Sequence, residues 1–173
     1  MNASTFLTLP SLNYRAAFLD MVDEFERAGQ HYSYHDAARQ DFAAFLLDTE
    51  KQSQGVDLPP ELVPSTTYWL VTPEGVVIGR SSLRHYLNPA LELRGGHIGY
   101  AIRPSMRRQG HGTRILALTL EKARELGLTR VLVTCDTSNI ASARIIEHNG
   151  GILENFTTSP SDGVQISRYW IQL

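Results

Sequence analysis

Residues 107 to 113 read Arg-Arg-Gln-Gly-His-Gly-Thr, between a run patterned as a strand and one patterned as a helix. Such a junction can hold an anion. The first amides of a helix lack intrahelical acceptors, and the helix dipole favours negative charge at that end. Gly110 and Gly112 leave the backbone open to close approach and free to take positive φ, while Arg107 and Arg108 can add charge-assisted bonds to phosphate oxygens. A pyrophosphate suits this arrangement. The other reading is a basic surface turn whose glycines serve tight packing. The turn is no triphosphate P-loop, because G-x-x-x-x-G-K-[ST] is absent, and no dinucleotide fingerprint, because Gly112 is followed by Thr113-Arg114-Ile115.

Hydrophobic periodicity supplies the elements that must position the turn. Residues 5–10 read as a short strand closed by proline, and Leu12 to Ala28 as a helix carrying Ala16, Leu19, Val22 and Phe25 on one face. A second helix is expected from Asp36 to Lys51, then a proline-rich loop over 52–65. Residues 66–72 and 76–85 form a hairpin, 86–96 a connection, and 96–104 a strand ending at Pro104. After the turn, 112–126 is a helix with Ile115, Leu116, Thr119, Leu120 and Ala123 inward, stopped near Gly127. The apolar run 131–135 is a strand covered on both faces. Ser138 or Asn139 caps a short helix through His148, and a final strand pair closes the chain. The order is that of an α/β (α+β) single domain over 1–173, without repeat or linker.

Composition excludes several classes. With 42% apolar and 20% charged residues the chain can build an ordinary core, and a net charge of -2 argues against a protein that coats nucleic acid. Cys135 is the lone cysteine, so no intrachain disulfide forms, and at the end of an apolar strand it reads as buried and inert. The first fifteen residues lack the pattern of a signal peptide, and no uncharged apolar run approaches ~18 residues. The expectation is a cytoplasmic protein with no nucleic-acid or membrane partner.

The stretch GHIGYAIRPSMRRQGHGTRILALTLEKARELGLTRVLVTCDTSNIASARIIEHNGG resembles the core of the GNAT acyltransferase superfamily. Arg107, Gly110 and Gly112 match the phosphate motif R/Q-x-x-G-x-G/A, and Asn139 with Ser142 matches the N-x-x-S that opens the following helix. RHYLNPALELRGGHIGYAIRPS further resembles a branch of bacterial predicted acetyltransferases of unassigned substrate. The resemblance implies a mixed central sheet flanked by helices and splayed between 97–103 and 131–135 to admit acetyl-CoA as cosubstrate, with no metal. Pantetheine would pair with the main chain around Tyr100 to Ile102. The amides of Gln109, Gly110, His111, Gly112 and Thr113, with Arg107 and Arg108, would take the pyrophosphate, and Asn139 and Ser142 would lie beside the pantetheine. An amine of a small molecule or peptide would attack the thioester directly.

The catalytic groups are less defined by the resemblance. His97 occupies about the place where the family often carries its base, and a histidine titrating near ~6.5 suits that work; the alternative is a histidine satisfied by neighbouring strands. Glu92 is a second candidate. Many relatives carry a tyrosine acid seven residues after the asparagine, where this chain has Ile146. Tyr100 or Tyr169 then serves as the acid, the thiolate leaves unaided, or the domain binds acyl-CoA as a sensor without useful transfer. The acceptor side is expected to draw on Tyr32, Tyr34, His85 and Asn88, with His35 and Arg84 nearby. HYSYH (31–35) has two histidines at i, i+4 but no third ligand of obvious spacing, so no metal is expected. The terminal strands could pair two copies, as dimeric relatives do.

Overall fold

The computed structural model describes residues 5–173; residues 1–4 of the segment read for a signal peptide lie outside them. Strand β1 (Phe6–Thr8) leads through a 3-10 turn into α1 (Arg15–Arg27). Where one helix was expected over 36–51 there are two, α2 (Ser33–Gln40) and α3 (Phe42–Gln54). Asp41 causes the break. Its extended backbone ends α2, and its carboxylate accepts the amide of Ala44 at 3.0 Å to cap α3. Strands β2 (Ser65–Val71) and β3 (Val77–Arg84) make the expected hairpin. The connection expected over 86–96 contains a short helix, α4 (Pro89–Leu93), with Asn88 as cap and Pro89 at the first helical position. Then follow β4 (Ile98–Ile102), α5 (His111–Glu125), β5 (Arg130–Asp136), α6 (Ile140–His148), β6 (Ile152–Thr158) and β7 (Gln165–Gln172).

The splayed sheet takes the form of two antiparallel sheets, ordered β1-β2-β3-β4 and β5-β7-β6. One face of the first carries α1 to α3, where Phe18 stacks on Trp69 at 4.3 Å and Met21, Val22, Phe25, Phe42 and Phe45 complete a buried cluster. Its other face carries α5. Ser81 of β3 and Thr119 of α5 bond through their hydroxyls at 2.8 Å, which fixes Gly79, Ser81 and Leu83 on the α5 side and Arg80, Ser82 and Arg84 on the side of α1 to α3. Leu83, Ile98, Leu116, Val131, Val133 and Ile146 join the two sheets into one apolar body around α5 and α6.

Candidate active site

The two sheets touch at one point. The amide of His97 donates to the carbonyl of Leu132 at 2.7 Å, and the amide of Leu132 donates to His97 Nδ1 at 2.9 Å. Gly96, at φ 60°, brings the chain so near Leu132 that any Cβ there would overlap its carbonyl. Beyond this vertex β4 and β5 part. The bonds Arg84 N–H to His97 O and Arg103 N–H to Ile78 O set the alternation of the β3–β4 ladder. Gly99 and Ala101 therefore pair with β3, while the main-chain groups of Ile98, Tyr100 and Ile102 face the gap. By the same alternation Thr134 and Asp136 face it from β5.

A cavity of about 280 Å³ occupies the gap and is lined by residues from both of its faces. Tyr100, Cys135, Asn139 and Ser142 line the α6 side, and Arg84, Gly99, Thr134 and Asp136 the opposite side. The Tyr100 hydroxyl meets Ser142 Oγ at 3.0 Å, and burial pushes its pKa up to about 12, so the phenol keeps its proton at neutral pH. Asn139 caps α6 by accepting the Ser142 amide at 3.1 Å, which leaves its Nδ2 group as a donor toward the cavity. Burial also raises the Cys135 thiol, in keeping with an inert cysteine. Arg94 bridges Asp136 (3.2 Å) and Asp162 (2.6 Å) and closes one rim of the cavity.

At the far end of β4 the turn over 107–113 is held from behind. Arg103 is buried and pairs with Asp20 and Glu24 of α1, and Glu24 also accepts from the amide and hydroxyl of Ser105. Arg107 differs from expectation. Its guanidinium donates to Ile102 O at 2.9 Å and Gln30 Oε1 at 2.6 Å and lies over Phe25, so it braces the turn. That bond occupies one lone pair of the Ile102 carbonyl, while the Ile102 amide is free for a ligand. Arg108, exposed and at φ 61°, makes no side-chain hydrogen bond or ion pair among the described residues. The amides from Arg108 to Thr113 have no main-chain acceptor among the described residues, and the first bond of α5 runs from Arg114 to Gly110. Gly110 takes φ 84° with open space where a Cβ would stand, whereas a Cβ on Gly112 would strike Ile145 of α6 at 2.6 Å. Both sequence readings of the glycines hold, one at each position: Gly110 opens the backbone and Gly112 serves helix packing. His111 and Thr113 stand in the first turn of α5.

Several other expected residues are placed elsewhere. His97 is buried, and its Nδ1 lone pair is engaged by Leu132, leaving none for a substrate proton while the ring is neutral. Desolvation, with Arg84 and Arg130 nearby, lowers its pKa to about 4. These are the properties of a structural histidine. Asn88 caps α4 through the Leu91 amide (2.9 Å) and donates to Glu61 O (2.9 Å). His85 bonds Thr66 at 2.8 Å. Both anchor loops outside the cavity lining. Glu92 is exposed on α4, and Ile146 is fully buried in the core. Tyr32 and Tyr34 stack on each other at 5.5 Å beside α1. The spacing of HYSYH hid a third polar partner: Glu26 Oε1 lies 2.7 Å from Nδ1 of both His31 and His35, which ties α2 to α1. Arg84, Arg94, Thr134 and Asp136 line the cavity without having been assigned there from the sequence; only Arg84 had been placed near the acceptor side.

Residues 11–152 match the family model of the acetyltransferase (GNAT) domain. No curated protein matches the chain in sequence. Among solved structures, the fold is similar to Mycobacterium smegmatis RimJ in complex with CoA-disulfide (TM-score 0.73, 15% identity, covering 97% of this chain and 81% of that one). It is similar also to RimL, a ribosomal L7/L12 alpha-N-protein acetyltransferase in complex with coenzyme A (TM-score 0.71, 15% identity, 100% and 96% covered). A third likeness is to yncA of Salmonella typhimurium with its cofactor acetyl-CoA (TM-score 0.65, 15% identity, 98% and 94% covered). At these identities the likeness is one of fold.

Proposed function

The chain belongs to the GNAT acetyltransferase family, and on that premise we propose that it moves an acetyl group from acetyl-CoA to the amine of a small molecule or peptide. The observation that carries this reading is the gap beyond His97 and Leu132. It offers unpaired strand edges for a pantetheine amide chain and ends at a helix start with unpaired amides for the pyrophosphate. The pyrophosphate would lie on the amides of Gln109 to Thr113 beside Arg108, and the thioester beside Tyr100, Asn139 and Ser142.

The chemistry needs three things. The amine must be neutral, the oxyanion needs a donor, and the thiolate needs a proton. The nitrogen attacks the thioester carbon, the C–N bond forms, and the carbonyl oxygen takes the charge, held by a main-chain N–H of β4 that faces the gap. The C–S bond then breaks, the Tyr100 phenol protonates the sulfur, and the proton leaving the new amide returns to the phenolate through water. His97 has the role of a positioning residue that fixes the vertex, and the substrate amine loses its first proton to solvent. The sensor alternative rests on Ile146; the Tyr100 hydroxyl in the cavity wall supports transfer over it.

Calorimetric titration with acetyl-CoA, against ATP and NAD, tests the donor site: micromolar binding confined to CoA ligands is expected, and its absence would sink the reading. Gly110→Asp should weaken that binding at least about tenfold. It forces an L-residue into positive φ and sets a carboxylate against the phosphates, yet meets no protein atom within 4 Å that would unfold the chain. Thiol release with any competent amine should rise with pH toward the pKa of that amine, without an inflection near ~6.5. A break there would restore His97 as base.

A further inference from the structure

Arg84 and Arg80 differ from Arg94 and Arg103 in what they lack. Both lie on the face of β3 turned away from α5, and Arg80 covers the ring of Tyr34 at 4.3 Å. Arg80 bonds Thr67 Oγ1 at 3.1 Å while its buried Nε has no partner. Arg84 donates through Nη1 alone, to the carbonyls of Gly95 (3.1 Å) and Gly96 (3.2 Å). No carboxylate among the described residues pairs with either, and residues 1–4 (Met-Asn-Ala-Ser) contain none. Arg94 and Arg103, by contrast, each have two. Burial lowers the pKa of both guanidiniums, and for Arg84 the charge of Arg80 adds to the effect. A cation drawn out of water without a counter-charge is costly to keep unless a ligand supplies one.

Arg84 supplies that cation to the cavity wall. It stands on the side opposite Tyr100 and Ser142, next to Gly99, which has no side chain to fill the space. The negative charge of Asp136 on the same wall is already spent on Arg94. We propose that the acceptor amine also carries a carboxylate, which Arg84 binds from the face of the gap opposite α6, with the positive field of Arg80 behind it. The proposal deepens the acetyl-transfer reading and rests on it. A guanidinium fork suits a carboxylate, and an α-amino acid would place its amine a few bonds from Arg84, toward the thioester. The same anion can come from an acidic side chain near a peptide N-terminus.

The test uses matched ligands on the wild-type protein. With acetyl-CoA, L-amino acids should be acetylated at least about tenfold faster in kcat/KM than their primary amides or decarboxylated amines, because a site built around a polar partner rejects the analogue lacking it. Dipeptide amides with an acidic first or second residue distinguish the peptide source of the anion from the free acid. Arg84→Gln should bring the acid-to-amide ratio toward one, and Arg84→Lys should restore part of it. A second arm needs no turnover. The complex with coenzyme A should bind N-acetyl amino acids more tightly than N-acetyl amino amides. Equal affinities there, or equal rates on acids and amides, overturn the anion site. Absent transfer with retained discrimination in the second arm overturns the enzyme reading and keeps the site.

Discussion

Tyr100→Phe should lower kcat about 100-fold while leaving the affinity for acetyl-CoA unchanged. The substitution removes one oxygen and keeps the ring that packs beside Cys135. The oxygen it removes is the tyrosine hydroxyl that lines the cavity, held at 3.0 Å from Ser142 Oγ. Its pKa, raised to about 12 by burial, keeps the phenol protonated through the working range, as a donor to a thiolate must be. An acyl donor with a more acidic leaving thiol needs that proton less. The defect should therefore shrink when acetyl-CoA is replaced by such a thioester, an effect that a change in packing would not give. Equal kcat for both proteins on acetyl-CoA would make Tyr100 a wall residue. Ser142→Ala should give a smaller fall, since it removes only the partner that orients the hydroxyl.

The turn over 107–113 and the helix after it were legible because their signal is local. A glycine-bracketed basic turn between a strand and an amphipathic helix states its own geometry, and the amides of Gln109 to Thr113 have no main-chain acceptor among the described residues. What the sequence hid depends on partners far along the chain. Nothing within a few residues of Arg107 says that its guanidinium will be taken by Gln30, or that Gly112 answers to Ile145. The split of the second helix was local but masked: Asp41 lies inside a helix-compatible run, and only its cap geometry ends one helix and begins the next. The strand over 76–85 was legible, and Arg80, Ser82 and Arg84 share one face of it. That no carboxylate meets that face is a tertiary fact. His97 carried two readings, and its burial with the Leu132 bond favours the second, a histidine satisfied by neighbouring strands.

That burial predicts a pH dependence of stability whose sign is fixed. His97 is neutral in the folded state with a pKa lowered to about 4, against 6.5 in an open chain. Between those values the unfolded chain binds the proton and the folded one does not, so stability is full above about pH 6.5 and falls as pH drops toward 4. At about 1.4 kcal/mol per unit, the loss amounts to about 3 kcal/mol at most. His97→Asn keeps an acceptor for the Leu132 amide but cannot titrate. Urea unfolding at pH 7 and pH 4.5 should show a loss of roughly 2 to 3 kcal/mol in the wild type beyond that in the variant. The same loss in both would mean that His97 is charged in the folded protein, and its availability as a base would have to be reconsidered. A protonated ring would also lose Nδ1 as acceptor for Leu132, so the vertex itself would open in acid. The coupling of that vertex to the cavity then adds a second expectation: acetyl-CoA affinity should be the same in both proteins down to about pH 4, and below it should fall further in the wild type than in His97→Asn.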